Sequence, residues 1–171
     1  PVISVNGNAA ALVPLELAAL SQALGASLEV NLFHASRERA DKIRAHLLAH
    51  GAHQVLLPDE NFVIAGLESN RRFVNGEGIY RADAVFVPLE DGDRCEALVR
   101  SGRKVITIDL NPLSRTARNA TITIVDNIVR ALPLLLDCVN ALAMGSAEAI
   151  RDYDNGAALR EAEAVIRGGD A

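Results

Sequence analysis

Apolar and polar positions along the chain alternate between two periods. A solid apolar run over residues 2–5 breaks at Asn6-Gly7-Asn8. After the small residues Ala9, Ala10 and Ala11, Pro14 opens a stretch in which Leu15, Leu17, Ala18, Leu20 and Leu24 recur at helical spacing until Gly25. The pattern predicts a strand, a tight loop and a helix. A second apolar run at 28–33 predicts another strand. Residues 36–50 predict a helix with a polar outer face, Ala40, Ile43, Leu47 and Leu48 turned inward, and Gly51 as its stop. A short strand at 54–57 follows. Residues 58–81 then carry scattered glycines and polar residues without a clear period, and read as a long excursion that serves function.

From residue 84 the alternation resumes. Strands at 84–88, 104–110 and 122–125 are separated by a helix at 93–101, closed by Gly102, and by a loop at 111–120. A long apolar helix starts near Asn127. The tail from 146 reads as two short helices around Asp154-Asn155-Gly156, ending in a mobile Gly168-Gly169. Solid apolar strands alternating with helices require a parallel sheet covered on both faces and right-handed crossovers. The expected fold class is α/β: a doubly wound, mainly parallel, six-stranded Rossmann-like sheet with helices on both faces. Residues 1–145 form its main domain and 146–171 a helical tail of the same domain. Ligands of such sheets lie beyond the carboxyl ends of the strands.

Composition narrows the choice. A chain of 171 residues fits one domain, and with 4% aromatics and no tryptophan its core must be built from Ala, Val, Ile and Leu, which suits helices on a parallel sheet. Cys95 and Cys138 fall in segments that read as buried helix, so there is no disulfide framework and a reducing, cytoplasmic setting is expected. No signal peptide is expected before Val2. A net charge of -5 argues against a nucleic-acid partner. The apolar helix at 128–144 is interrupted by Arg130, Pro133, Asp137 and Asn140, which argues against a membrane span. Being apolar nearly all round, it predicts burial on every side and a homodimer interface. Only Lys42 and Lys104 are lysines, so bound phosphate would have to be met mostly by arginine.

Four polar loops fall on the carboxyl edge: Asn6-Gly7-Asn8, the stretch from Glu90 to Arg94, the stretch from Asp109 to Thr116, and Asp126-Asn127. In the third, a carboxylate leaves the strand, a turn follows, and an arginine with two hydroxyls comes next, a set that suits a sugar at one end and phosphates at the other. Ordinary turn chemistry explains the same residues equally well. Asn127 precedes the last long helix, whose first N–H groups favour an anion, and a plain helix cap is the competing reading. Asp93 and Glu96 stand at the spacing of a capping box, leaving Glu90 and Asp91 free for a metal or a substrate amine. No P-loop and no G-x-G-x-x-G is present, and the second strand lacks the acid that would hold a dinucleotide ribose. His46, His50 and His53 read as surface residues rather than a metal site, and no metal ligands are assigned. No serine or cysteine nucleophile with a paired histidine is recognisable, and His34, near the site edge, reads as a packing or hydrogen-bonding residue, so catalytic residues stay unassigned.

Several stretches resemble one family. Ser4-Val5-Asn6-Gly7-Asn8-Ala9-Ala10-Ala11-Leu12 and Glu29-Val30-Asn31-Leu32-Phe33 carry the likeness in the first half. Val87-Pro88-Leu89-Glu90-Asp91-Gly92-Asp93-Arg94, Ile108-Asp109-Leu110-Asn111-Pro112-Leu113-Ser114-Arg115-Thr116-Ala117 and Thr123-Ile124-Val125-Asp126-Asn127-Ile128-Val129-Arg130-Ala131 carry it in the second. Together they resemble the archaeal phosphopantothenate synthetases, the 4-phosphopantoate:β-alanine ligases of coenzyme A biosynthesis. The resemblance implies an enzyme that condenses 4-phosphopantoate with β-alanine, releasing AMP and diphosphate through an acyl-adenylate, with Mg2+ accompanying the ATP. It implies ATP contacts at Asp109, Leu110, Asn111, Arg115, Thr116, Asn127 and Ile128, those of Leu110 and Ile128 through backbone alone. Asn6, Asn8, Glu90, Asp91 and Arg94 are weaker candidates for the other two substrates. Family members carry a further helix-rich N-terminal segment with basic residues, whereas this sequence begins directly at Pro1-Val2, so a truncated chain is expected and, if that segment supplies arginines to the phosphates, weak ATP binding or poor turnover by the chain alone. A non-catalytic nucleotide-binding module and a pantoate-directed phosphotransferase are the alternatives on the same fold.

Overall fold

The computed structural model describes residues 1–141 and 153–168. Six strands form one sheet: β1 (Val2–Val5), β2 (Ser27–Val30), β3 (Val55–Leu56), β6 (Ala84–Pro88), β7 (Lys104–Ile108) and β8 (Ile122–Ile124). Their order is β3-β2-β1-β6-β7-β8, and every neighbouring pair is parallel. The order reverses between β1 and β6, so a crevice opens where the chains leaving those two strands part.

Successive side chains point to opposite faces of a strand, and each face has its own core. Ile3, Val5, Leu28, Val30, Phe86 and Ile108 pack with α1 (Gly7–Leu12), α2 (Pro14–Leu24), α3 (Arg37–Ala49) and α6 (Ile128–Ala141). Val2, Val85, Val87 and Val105 pack with α4 (Gly92–Arg100) and with Ile64, Leu67, Val74 and Ile79 of the excursion. The excursion therefore covers part of the second face where a helix would otherwise lie. Its own regular structure is an antiparallel ribbon of β4 (Asp59–Val63) and β5 (Phe73–Val74), which its lack of period did not announce. At the far edge, α7 (Asn155–Ile166) packs on β8 and on α5 (Arg115–Asn119). Asn155 stitches this join, accepting from Thr123 N at 2.8 Å and donating to the Ala117 carbonyl at 2.8 Å.

Pro14 opens α2, and Gly25, left-handed at φ 58°, closes it, as the spacing predicts. Other boundaries differ. The expected tight loop at 6–8 is instead the start of α1, because the Asn6 side chain accepts from Asn8 N and Ala9 N and so caps a helix. The strands expected at 28–33 and 104–110 end at Val30 and Ile108, where the polar loops begin. The loop at 111–120 contains α5, capped by Ser114. In the fourth helix the cap is Asp91, whose carboxylate accepts from Arg94 N at 2.9 Å, and not Asp93, which sits inside the first turn. Among its described residues, the helix expected to be buried on every side buries only Ile128, Ala131 and Leu132, while Leu134 is 61% exposed. One stripe is enough to seat it on α2, and Cys138, expected to be buried, lies on the exposed side; Leu48 of α3 is exposed as well. Of the two tail helices, the second is α7 and the first lies outside the described residues.

Candidate functional site

Because all six strands are parallel, the four polar loops share one edge. Those after β7 and β8 start side by side: Asp109 N donates to the Ile124 carbonyl at 3.0 Å. Asp109 organises its loop. One carboxylate oxygen accepts from Asn111 N at 2.9 Å and the other from the Ser114 hydroxyl at 2.5 Å, and Ser114 Oγ in turn accepts from Ala117 N. This relay starts α5 and presents Arg115 at the surface. There Arg115 pairs with Asp93 at 2.8 Å and Glu96 at 2.9 Å; the bonds to Glu96 and Asp93 hold its guanidinium above its ordinary pKa. Exposed pairs of this kind are weak and open to exchange for a phosphate. The Thr116 hydroxyl is buried and donates to the Glu90 carbonyl at 3.0 Å, so it ties α5 to the next loop.

Asn127 begins α6. Its side-chain oxygen accepts from Val129 N at 3.1 Å, and its own N–H donates to Asp126. Asp126 is engaged by Arg130, whose bond pulls the carboxyl below its usual range. Ile128 turns its side chain into the core and Leu110 is exposed. Among the described residues no group of three or more His, Cys, Asp or Glu is arranged to hold a metal ion.

The crevice between β1 and β6 has a volume of about 360 Å³ and is lined by Asn8, His34, Arg39, Arg71 and Asp91 among others. Asn6 belongs to its wall, donating to the Leu89 carbonyl at 2.7 Å. Leu89 holds φ at 58°, a left-handed conformation that a residue with a Cβ adopts only where its surroundings impose it. Glu90 and Arg94 are buried against each other, and Arg94 also donates to Ser4 Oγ at 3.1 Å. Neither presents itself to a ligand, whereas Asn8 and Asp91 do; the Asp91 side chain is 40% exposed.

Reading the sequence missed Arg71. It is 7% exposed, rides on the excursion, and sets its guanidinium against both Glu90 and Asp91. Two polar residues on alternate positions of β2 and its exit hold it there. Glu29 accepts from Asn75 N at 2.9 Å and Ile79 N at 2.7 Å, and Asn31 donates to the carbonyls of Arg71 at 3.2 Å and Phe73 at 3.1 Å. Burial pushes the Glu29 carboxyl up to about 7 against the pull of those N–H groups, and lowers Arg94 to about 10. The signal was present: Glu29 and Asn31 are polar residues two apart in an otherwise apolar run. A larger groove, about 940 Å³, lies beyond β2 and β3 between α3 and the ribbon. Neither depression is lined by residues of the β7 or β8 loops.

An open parallel sheet with its strand order reversing over a polar crevice, and with capped helix starts on the adjoining loops, defines a Rossmann-like α/β protein. The family model of the phosphopantothenate/pantothenate synthetases matches residues 1–169, and the chain belongs to that family. It is 49% identical over 172 residues to the 4-phosphopantoate–beta-alanine ligase of Thermococcus kodakarensis, a match covering 98% of this chain and 66% of the relative. The enzymes of the same name from Thermococcus onnurineus and Methanosarcina mazei are 51% and 48% identical, with 98% of this chain and 66% and 67% of theirs covered. The chain thus spans about two thirds of the length of these relatives.

Proposed function

We propose that this chain carries the nucleotide and acid sites of an ATP-dependent ligase that joins 4-phosphopantoate to β-alanine, forming 4'-phosphopantothenate with release of AMP and diphosphate. The observation that carries this reading is the near half-identity to ligases of that name along 98% of the chain. On this reading residues 1–145 are the nucleotide-binding domain and 146–171 its tail. The enzyme works in the cytoplasm as a homodimer and takes ATP, 4-phosphopantoate and β-alanine as its small-molecule substrates. No helix among the described residues is long and apolar enough to cross a membrane.

In the first step a carboxylate oxygen of phosphopantoate attacks the α-phosphorus of ATP and diphosphate leaves, giving an acyl-adenylate. In the second the amine of β-alanine attacks the acyl carbon, the amide forms, AMP departs and the amine loses a proton. Such chemistry depends on positioning and on donors aimed at developing negative charge. Arg115 and the first N–H groups of α6 behind Asn127 are the groups suited to the phosphates. Asp109, Leu110 and Asn111 line the strand exit where a ribose would lie, and Thr116 and Ile128 contribute through backbone. Mg2+ would be held by the phosphates and water. Asp91, the more accessible of the two carboxylates beside the crevice, is better placed than Glu90 to take the amine proton, and Asn6, Asn8 and Arg94 shape the crevice around it.

Incubating the chain with ATP, 4-phosphopantoate and β-alanine and identifying the nucleotide product tests the proposal. AMP is the expected product. ADP would indicate a phosphotransferase, and unchanged ATP a binding module or a damaged fragment.

A further inference from the structure

Resting on the ligase reading above, we infer that Arg71 and Arg39 form a binding site for the phosphomonoester group of the acid substrate in the crevice between β1 and β6, apart from the nucleotide loops of β7 and β8. Both arginines line that crevice. They reach it from different elements, Arg39 from α3 and Arg71 from the excursion, so both side chains belong to the wall of one space.

Arg71 is placed there by design of the fold rather than by solvent. Its backbone is tied to the sheet through Asn31, and the following turn is tied through Glu29. The orientation of the Asn31 amide is fixed, since its NH2 faces two carbonyl acceptors and its oxygen would be repelled by them. Arg71 still has donor capacity: its Nε is buried and has no protein partner. A guanidinium offers five N–H donors in a planar fork suited to phosphate. Gly7 makes room for the second arginine, because a Cβ at that position would stand 3.1 Å from Arg39 Nη2.

The charge balance agrees. Arg71 and the buried Arg94 are matched by Glu90 and Asp91, which leaves the positive charge of Arg39 over at the crevice. Glu29 lies behind Arg94 and burial favours its neutral form, so it offsets this surplus only in part near pH 7. A small anion restores balance, and a neutral or cationic ligand does not.

The test is calorimetric titration of the 171-residue chain with 4-phosphopantoate, with pantoate and with ATP, using the wild type, Arg39→Gln and Arg71→Lys. Arg39 is exposed, so Arg39→Gln carries the test even if Arg71→Lys disturbs folding. The expected result is that 4-phosphopantoate binds more tightly than pantoate and that each variant weakens it by about tenfold or more, with ATP affinity unchanged. No binding of 4-phosphopantoate, or binding that stays within about twofold of wild type in Arg39→Gln, overturns the site. The nucleotide-product assay separates the two levels. AMP formation with an unaltered KM for 4-phosphopantoate in Arg39→Gln leaves the ligase and removes the site. Arginine-dependent binding with ADP formed in place of AMP leaves the site and removes the ligase.

Discussion

Arg71 of the excursion and Glu90 of the loop after β6 meet in an ion pair that is nearly sealed from solvent, 19 residues apart in sequence. The pair joins the excursion to the exit of β6, where Leu89 is held left-handed by its neighbours. Breaking a buried pair from one side leaves a charge without compensation, which costs far more than the pair contributes. Arg71→Ala should therefore destabilise the fold by about 3 kcal/mol or more, read by chemical denaturation, while Arg71→Lys should cost less.

Glu29 gives the protein a pH dependence of stability. Its folded value, about 7, lies above the ordinary 4.5, so between those limits the folded state holds a proton that the unfolded state releases. The contribution is fully present below about pH 4.5 and lost as the pH rises through 7, on the order of 3 kcal/mol in total. Glu29→Gln should flatten this part of the stability profile; an unchanged profile would assign the slope to other groups.

Gly78 lies where a Cβ would run into the Glu29 carboxylate. Gly78→Ala should destabilise by about 1–3 kcal/mol, as overpacking of a tight site does. The double variant Gly78→Ala with Glu29→Ala should show non-additive loss, because the collision disappears with the carboxylate.

Helix capping separates two neighbouring aspartates. Asp91→Ala removes the cap of α4 and should cost about 1 kcal/mol or somewhat more, since Arg71 also loses a partner. Asp93→Ala removes only an exposed partner of Arg115 and should leave the thermal midpoint nearly unchanged.

The difference between these aspartates marks where sequence reading stops. Pro14, Gly25 and Gly102 bound helices through local backbone chemistry, and solid apolar runs identify the six parallel strands, so the sheet and its carboxyl edge were legible. Asp91 and Asp93 both suit a cap, and only the path of the chain out of β6 decides between them. Asn6 looked like part of a loop because a cap and a turn use the same side chain. Arg71 was invisible for a different reason: its partners are set by how an aperiodic excursion folds back over the sheet, which no local period encodes. The motif residues 109–116 and 126–128 were located correctly at one edge, but their internal hydrogen bonds, such as the tie from Thr116 to the Glu90 carbonyl, emerge only in three dimensions.

A crystal structure of the chain with a non-hydrolysable ATP analogue tests the central claim most directly. The account predicts the triphosphate between Arg115 and the first turn of α6, with the ribose over Asp109 to Asn111 and the β1–β6 crevice left open. A nucleotide seated in that crevice against Asn8 and Arg71, with Arg115 still paired to Asp93 and Glu96, would contradict it.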